Sequence, residues 1–467
     1  MGYAKPSPLW KKRVGLLLCA LLAGCGGALL HASPASPGLA SASRTSSPIA
    51  HVVVIVQENR TFNNFFATFP GADGTTTAQA EPDTACHIDK EQTIRLRARP
   101  LVALHDLDHY YEAYRTGRDG GKMDGFDKIP YHRAHRNACF TPYQYVDPSQ
   151  IKPYWYIAKH YVLAEHMFTT QGSGGFTGHQ DLIAAGTVVI PTEALVDLPT
   201  CSGFKCYWGC DAPTDTRTSL IVKNDVVRDA KGPFPCSNDF ASKYPTIRDL
   251  LDAKGISWKY YAPGACCNVN GRLLNGFDAI YPVRYGPEWK TNISSPETNV
   301  FKDISAGKLP AVSWVVPTPQ NSDHPGGAID HGPAWVASVV NAIGESSYWK
   351  STAIVIVWDD WGGFYDNVDP PQRPYGGFGF RVPAMIVSPY AKAGYISPTN
   401  YQFAGILKYI EENWDLGYLG RGDRNATSII DSLDYSQTPI TFTPIPSNYD
   451  KSYFLNHKEP DLPDESD

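Results

Sequence analysis

Four polar residues stand at the ends of two apolar runs that lie far apart in the chain. Glu58 and Asn59 close the run His51-Val-Val-Val-Ile-Val-Gln-Glu-Asn59, and Asp359 and Asp360 close Ala353-Ile-Val-Ile-Val-Trp-Asp-Asp360. Three carboxylates and an amide oxygen brought into one pocket repel one another unless a counter-charge sits among them. A hard divalent cation such as Ca²⁺, Mg²⁺ or Mn²⁺ takes oxygen sets of this kind. The chemistry such a centre offers is neutralisation of charge on an oxyanion during its displacement.

Positioning these groups falls to the runs that precede them. A continuous β-branched segment is the pattern of a strand buried on both faces, as parallel strands are. In an open α/β sheet, ligands gather outside the carboxyl ends of the strands. If the two runs are parallel neighbours, Glu58, Asn59, Asp359 and Asp360 meet. Further strands are expected at 162–168, 257–261, 311–316 and 384–388, and helices at 154–160, 179–185, 246–253, 333–344 and 402–414. The alternation predicts an α/β fold with a largely parallel sheet flanked by helices. From about Thr187 to Pro245 the text turns Cys-, Gly- and Pro-rich, which reads as an insertion over the active face, with room for a small antiparallel piece.

The wording around the acidic groups goes further. Glu58-Asn-Arg-Thr-Phe-Asn-Asn-Phe-Phe66, His105-Asp-Leu-Asp-His109, Asp119-Gly-Gly-Lys-Met-Asp-Gly-Phe126, Asn321-Ser-Asp-His-Pro325 and Asp359-Asp-Trp-Gly-Gly-Phe-Tyr-Asp366 follow one another in order. Together they resemble the bacterial phosphoesterase family of phospholipases C and acid phosphatases, a branch of the alkaline-phosphatase-like superfamily. The resemblance implies metal-dependent hydrolysis of phosphate esters, with Glu58, Asn59, Asp359 and Asp360 as metal ligands. It also implies that His109 and His324 flank the phosphoryl group, with His324 placed to reach a leaving oxygen. His179, at the start of a helix, reads as a capping and packing residue.

One position departs from the family pattern. The family sets a Ser or Thr four residues before a His-Gln helix start, and in Gln171-Gly-Ser-Gly-Gly-Phe-Thr-Gly-His179 that place is Gly175. Three readings follow. Ser173 attacks from a shifted glycine loop; or a metal-activated water attacks directly; or the chain is a non-catalytic binder of phosphate ligands. Thr177 and Ser173 can equally serve only to hold a Gly-rich turn.

Composition sets the remaining bounds. A net charge of −6 without a basic stripe excludes nucleic acid as an expected partner. Residues 1–25 read as a lipoprotein-type signal segment: Lys11-Lys-Arg13, an apolar stretch Val14–Leu22, then Leu22-Ala-Gly-Cys25. Cys25 is the expected lipidated residue, tethering an exported protein to a membrane as a periplasmic or outer-membrane lipoprotein; secretion after an ordinary signal is the other outcome. Residues 26–48 read as a flexible tether, 49–454 as the phosphoesterase domain, and 455–467 as a disordered acidic tail. Because the chain stops soon after Arg421-Gly-Asp-Arg-Asn425, a phosphomonoester of acid-phosphatase type is the expected small substrate, with phospholipid head groups the alternative. Eight cysteines remain beyond Cys19 and Cys25, an even number that suits disulfides in an exported chain. The family likeness implies Cys210–Cys236, which leaves Cys86–Cys139 as a second pair. Cys201, Cys206, Cys266 and Cys267 are open to pairing or to a zinc site.

Overall fold

The computed structural model describes residues 47–457, apart from 104, 133–135, 201–208, 224–225, 235, 237–242, 264–273, 327–330 and 374–376. The signal segment, the tether up to residue 46, and Cys201, Cys206, Cys266 and Cys267 lie outside the described residues. The expected tail does so from residue 458 onward.

The two apolar runs form the strands His51–Gln57 and Thr352–Trp358, the first buried from Val52 onward and the second throughout. They are parallel neighbours, paired from His51 with Thr352 to Gln57 with Trp358. That register decides the site: the residues after Gln57 and after Trp358 leave the sheet side by side. The eight-stranded sheet runs Ile293–Ser294, Trp258–Tyr261, Val312–Val315, His51–Gln57, Thr352–Trp358, Ala384–Val387, Val162–Ala164, Tyr395–Ser397. Only Ala384–Val387 runs against its neighbours. Helices that include Lys152–His160, Gly175–Ala184, Gly332–Gly344 and Phe403–Trp414 pack with the sheet into one apolar core. The expected α/β class holds.

Two expectations need correction. The strand expected at 162–168 breaks after Ala164, and Met167–Phe168 pairs separately with Tyr401–Gln402. The helix expected from His179 begins four residues earlier, at Gly175. Gly174, Gly175 and Gly178 carry low intrinsic helix propensity, and the turn forms because every residue of the helix is buried.

The insertion contains a four-stranded antiparallel sheet of Val188–Ile190, Glu193–Thr200, Arg217–Val222 and Val226–Gly232. Disulfides join Cys86 to Cys139 and Cys210 to Cys236. The first closes a separation of 53 residues, so loop-closure entropy gives it a stabilisation of about 4 kcal/mol. Replacing both Cys86 and Cys139 by Ala is expected to lower unfolding free energy by about 2–4 kcal/mol. Denaturant titration checks this; an unchanged midpoint would refute it.

The first residues assigned to the expected tail are helical. Lys451–Asn456 is a helix capped by the Asp450 carboxylate, so Leu455 and Asn456 are structured. Phe454 anchors it by packing edge-on against Trp335. No helix among the described residues is long and apolar enough to cross a membrane.

Glu411 is buried on the helix Phe403–Trp414, with Oε1 accepting from Leu419 N at 3.1 Å. Burial first, then the neighbouring Asp423, pushes its carboxyl up to about 8 from a normal 4.5. The folded chain therefore keeps a proton that the unfolded chain releases above pH 4.5. The stability this group contributes is full below that pH and is lost as pH rises through about 8. Glu411→Gln keeps the acceptor and removes the proton, so its thermal midpoint should fall less than the parent's between pH 5 and 8. Identical pH profiles for the two proteins would refute the assignment.

Candidate active site

At the carboxyl ends of the paired strands, Glu58, Asn59, Asp359 and Asp360 are all nearly inaccessible. Asn59 adopts a left-handed backbone, φ 57°, which turns the chain sharply out of the strand. Its N–H donates to Asp359 Oδ1 at 3.1 Å, and Asp360 N donates to the same oxygen at 2.8 Å. Gly362 N donates to Asp360 Oδ1 at 2.7 Å. Each aspartate thus commits one oxygen to the backbone.

The second oxygens face histidines. Asp360 Oδ2 lies 3.8 Å from His109 Nε2, and Asp359 Oδ2 lies 3.7 Å from His179 Nε2. His179 Nε2 is also 3.4 Å from Glu58 Oε1. His109 is fixed at both ends: Nδ1–H donates to Leu107 O at 2.7 Å, and Nε2 accepts from Asn59 Nδ2 at 3.2 Å. Burial, reinforced by the Glu58 carboxylate, pushes the Asp359 carboxyl well above the usual range. Like charges held this close and buried call for a cation.

The donor set fits one. Asp359 Oδ2 and Asn59 Oδ1 are buried with no hydrogen-bond partner among the described residues, a state that ordinarily costs about 1–3 kcal/mol per group. Glu58, His179 and Asp359 each offer an atom within 4.8 Å of the others, room for one ion. Asn59 and Asp360 adjoin this group through their N–H bonds to Asp359 Oδ1. His179, expected as a capping and packing residue, turns its Nε2 toward Glu58 and Asp359 and so stands beside them. Its only sequence signal was its distance from Gly175: a full helical turn sets both on the face turned toward Asp359.

Gly175 occupies the centre of this arrangement. A Cβ there would lie 2.9 Å from Asp359 Oδ2 and 3.7 Å from Asp360 Oδ2. The place the family pattern gives to a hydroxyl thus lies against both carboxylates. Ser173 is engaged elsewhere, since its Oγ donates to Asp197 Oδ1 at 2.9 Å and accepts from Asp197 N at 2.9 Å. Thr177 Oγ1 donates to Gly174 O at 2.9 Å and steadies the helix start. Gly178 permits the approach itself, because a Cβ there would sit 2.3 Å from Asp359 O. Gly178→Ala is expected to push the helix off Asp359 and cost about 2 kcal/mol or more of stability. Thermal unfolding would show it, and a midpoint within a degree of the parent would contradict this packing.

His324 is half-buried on the loop beyond Val312–Val315, with Nδ1–H donating to Pro325 O at 2.5 Å. That loop is pinned through its neighbour. Asp323 Oδ2 accepts from Tyr154 Oη at 2.7 Å and from Trp358 Nε1 at 3.1 Å, while Arg60 Nε donates to Asp323 O at 2.9 Å. Arg60 and Trp358 directly flank the two ligand pairs, so Asp323 holds His324's loop in register with both. Asp366, the last acid of the second motif, is structural: its Oδ1 accepts from Arg381 Nε at 2.8 Å, both side chains fully buried.

The family model of the phosphoesterase family matches residues 49–417. The chain belongs to the phosphoesterase family. Among curated relatives, the non-hemolytic phospholipase C of Pseudomonas aeruginosa is 23% identical over 78% of this chain and 54% of its own length. Phospholipase C B of Mycobacterium tuberculosis is 24% identical over 78% of this chain and 72% of its own length. The non-specific phospholipase C6 of Arabidopsis thaliana is 29% identical over 44% of each. The chain thus spans about half the length of the Pseudomonas relative. Among solved structures, a protein of the alkaline phosphatase superfamily from Vibrio parahaemolyticus is 12% identical, covering 84% of this chain and 74% of that one at a TM-score of 0.36.

Proposed function

We propose that this phosphoesterase hydrolyses phosphate esters with a divalent cation held by Glu58, Asn59, Asp359 and Asp360, and by His179 beside them. The observation that carries the reading is the convergence of these buried donors, at adjacent strand ends, around the position of Gly175. A bound cation would neutralise charge on phosphoryl oxygens during displacement. The chain's own groups do the rest. His109, its ring fixed by Leu107 O and Asn59, holds a nitrogen at the edge of the ligand cluster. His324, on the loop pinned by Asp323, supplies a proton to the leaving oxygen.

A second reading, a non-catalytic phosphate binder, is favoured by one residue: Gly175 offers no hydroxyl where the site is best placed to use one. Turnover of a chromogenic phosphomonoester and of its phosphodiester analogue, each with and without chelator, separates the cases. Chelator-sensitive turnover supports the first reading and shows which ester class is preferred. Phosphate binding with no turnover of either ester supports the second.

We also propose export and membrane tethering through a lipidated Cys25. The two disulfides support it, since such bonds persist in oxidising compartments. Metabolic labelling with a fatty acid tests it, and a mature product beginning beyond Cys25 would refute it.

A further inference from the structure

A groove of about 1130 Å³ lies apart from the ligand cluster, lined along one wall by Arg95, Arg97 and Arg99. The sequence around these arginines alternates, with Ile94 and Leu96 buried beneath and Arg95, Arg97 and Arg99 exposed above. Their segment is held from two sides: Gln92–Arg95 pairs antiparallel with Thr77–Ala80, and Arg97–Arg99 pairs parallel with Gln144–Val146. Side chains two residues apart on an extended segment project to the same side about 6.6 Å from each other, so the row spans roughly 13 Å. No ion pair engages any of the three among the described residues. In a chain of net charge −6, this row of guanidinium groups is a local reversal of sign and a short basic stripe that the sequence reading did not expect.

The rest of the lining joins this row to the site. His105 and Ala103 line the groove; Ala103 O accepts from Gly326 N at 2.7 Å, beside the His324 loop. His105 lies four residues before His109 on the same connection. Phe140, half-exposed on the loop fixed by the Cys86–Cys139 disulfide, adds an apolar surface on which a neutral spacer can lie.

We infer that this groove binds an extended ligand carrying phosphate groups on successive units, and that it anchors the part of the substrate that is not hydrolysed. Guanidinium groups pair with phosphate oxygens in a bidentate fork. Three of them at a regular interval select a chain of charges over a single one, because each further pair is intramolecular once the first has formed. The anchoring role rests on the phosphoesterase reading; the binding itself does not.

The test uses the intact, metal-loaded protein and a fluorescently labelled glycerol phosphate tetramer ending in a phosphomonoester. Fluorescence anisotropy at low salt should show the tetramer binding at least tenfold more tightly than labelled glycerol phosphate. An Arg95→Gln, Arg97→Gln, Arg99→Gln triple variant should lose at least tenfold of that affinity. These side chains are exposed, so folding is unaffected. In turnover, the same variant should raise KM for the tetramer without changing kcat, and leave a small chromogenic phosphate untouched. Equal affinity for tetramer and monomer, an unaffected triple variant, or binding only to phosphatidylglycerol vesicles would overturn the inference. If no ester is turned over but the arginine-dependent binding holds, the hydrolytic reading fails and the groove stands.

Discussion

Replacing Gly175 by serine is expected to raise phosphate-ester turnover by about two to four powers of ten, a barrier change of about 3–5 kcal/mol. The gain comes from position. The introduced Cβ stands 2.9 Å from Asp359 Oδ2 and 3.7 Å from Asp360 Oδ2, so its hydroxyl enters the space the buried donors surround. An oxygen there can attack phosphorus and split hydrolysis into two easier displacements through a covalent intermediate. The contact with Asp359 is also tight, so that carboxylate must yield by a few tenths of an ångström. Gly175→Ala imposes the same contact and brings no oxygen; it separates the steric cost from the chemical gain and should fall at or below the parent. Ser173→Ala should change turnover only a few-fold, since its hydroxyl is spent on Asp197. Steady-state turnover with acid-quenched trapping of a phosphoenzyme reads all three variants. A serine variant no faster than the alanine variant would show that the site has lost more than one group, and a collapse in Ser173→Ala would restore Ser173 as the nucleophile.

The positions of Glu58, Asn59, Asp359 and Asp360 were legible because a single physical rule connects them. A run buried on both faces must be an interior strand, and groups just past its carboxyl end must stand at the sheet's edge. The register from His51–Thr352 to Gln57–Trp358 then sets the two pairs abreast without further adjustment. His179 was not legible in the same way. Its place depends on where its helix starts, and Gly174, Gly175 and Gly178 hide that start. Glycine is chosen there for close approach, Gly178 against Asp359 O above all, so local propensity and tertiary need point in opposite directions. Ser173 misled for a related reason. A serine in a glycine loop looks free, and only the insertion strand Glu193–Thr200, remote in sequence, supplies the Asp197 that engages it.

The motifs also carried residues whose work is support. Arg60 follows Asn59 directly, and its guanidinium spans Asp323 O, Asn64 Oδ1 and Leu101 O at 2.9, 3.3 and 2.8 Å. Asp366 and Arg381 form a buried pair in which Arg381 further donates to Asp73 O, Glu165 O and Asn367 Oδ1 at 3.0, 3.1 and 2.7 Å. Such pairs are costly to break singly, because the abandoned charge stays buried. Sequence pattern marks these residues and the candidate metal donors alike; only the contacts separate the two kinds.

Asp359→Asn is expected to move two measurements in opposite directions. Asp359 is fully buried, its Oδ1 accepting from two backbone N–H groups at 3.1 and 2.8 Å and its Oδ2 turned toward His179. Asparagine keeps the Oδ1 acceptor and the shape, and removes one charge from a cluster that includes Glu58. In metal-free buffer the variant should therefore be as stable as the parent or more stable by about 1–2 kcal/mol, since a buried like-charge repulsion is relieved. With a divalent cation the order reverses. The parent gains about 2.7 kcal/mol at a cation concentration a hundred times its Kd, while the variant, having lost a charged ligand, gains little at the same concentration. Turnover should fall with metal affinity, by about two powers of ten or more. Thermal unfolding with and without chelator, in both proteins, reads the crossing. A parent whose midpoint ignores the cation would remove the metal centre. A variant destabilised in chelator would instead make Asp359 a structural carboxylate, held for its bonds to Asn59 N and Asp360 N and not for its charge.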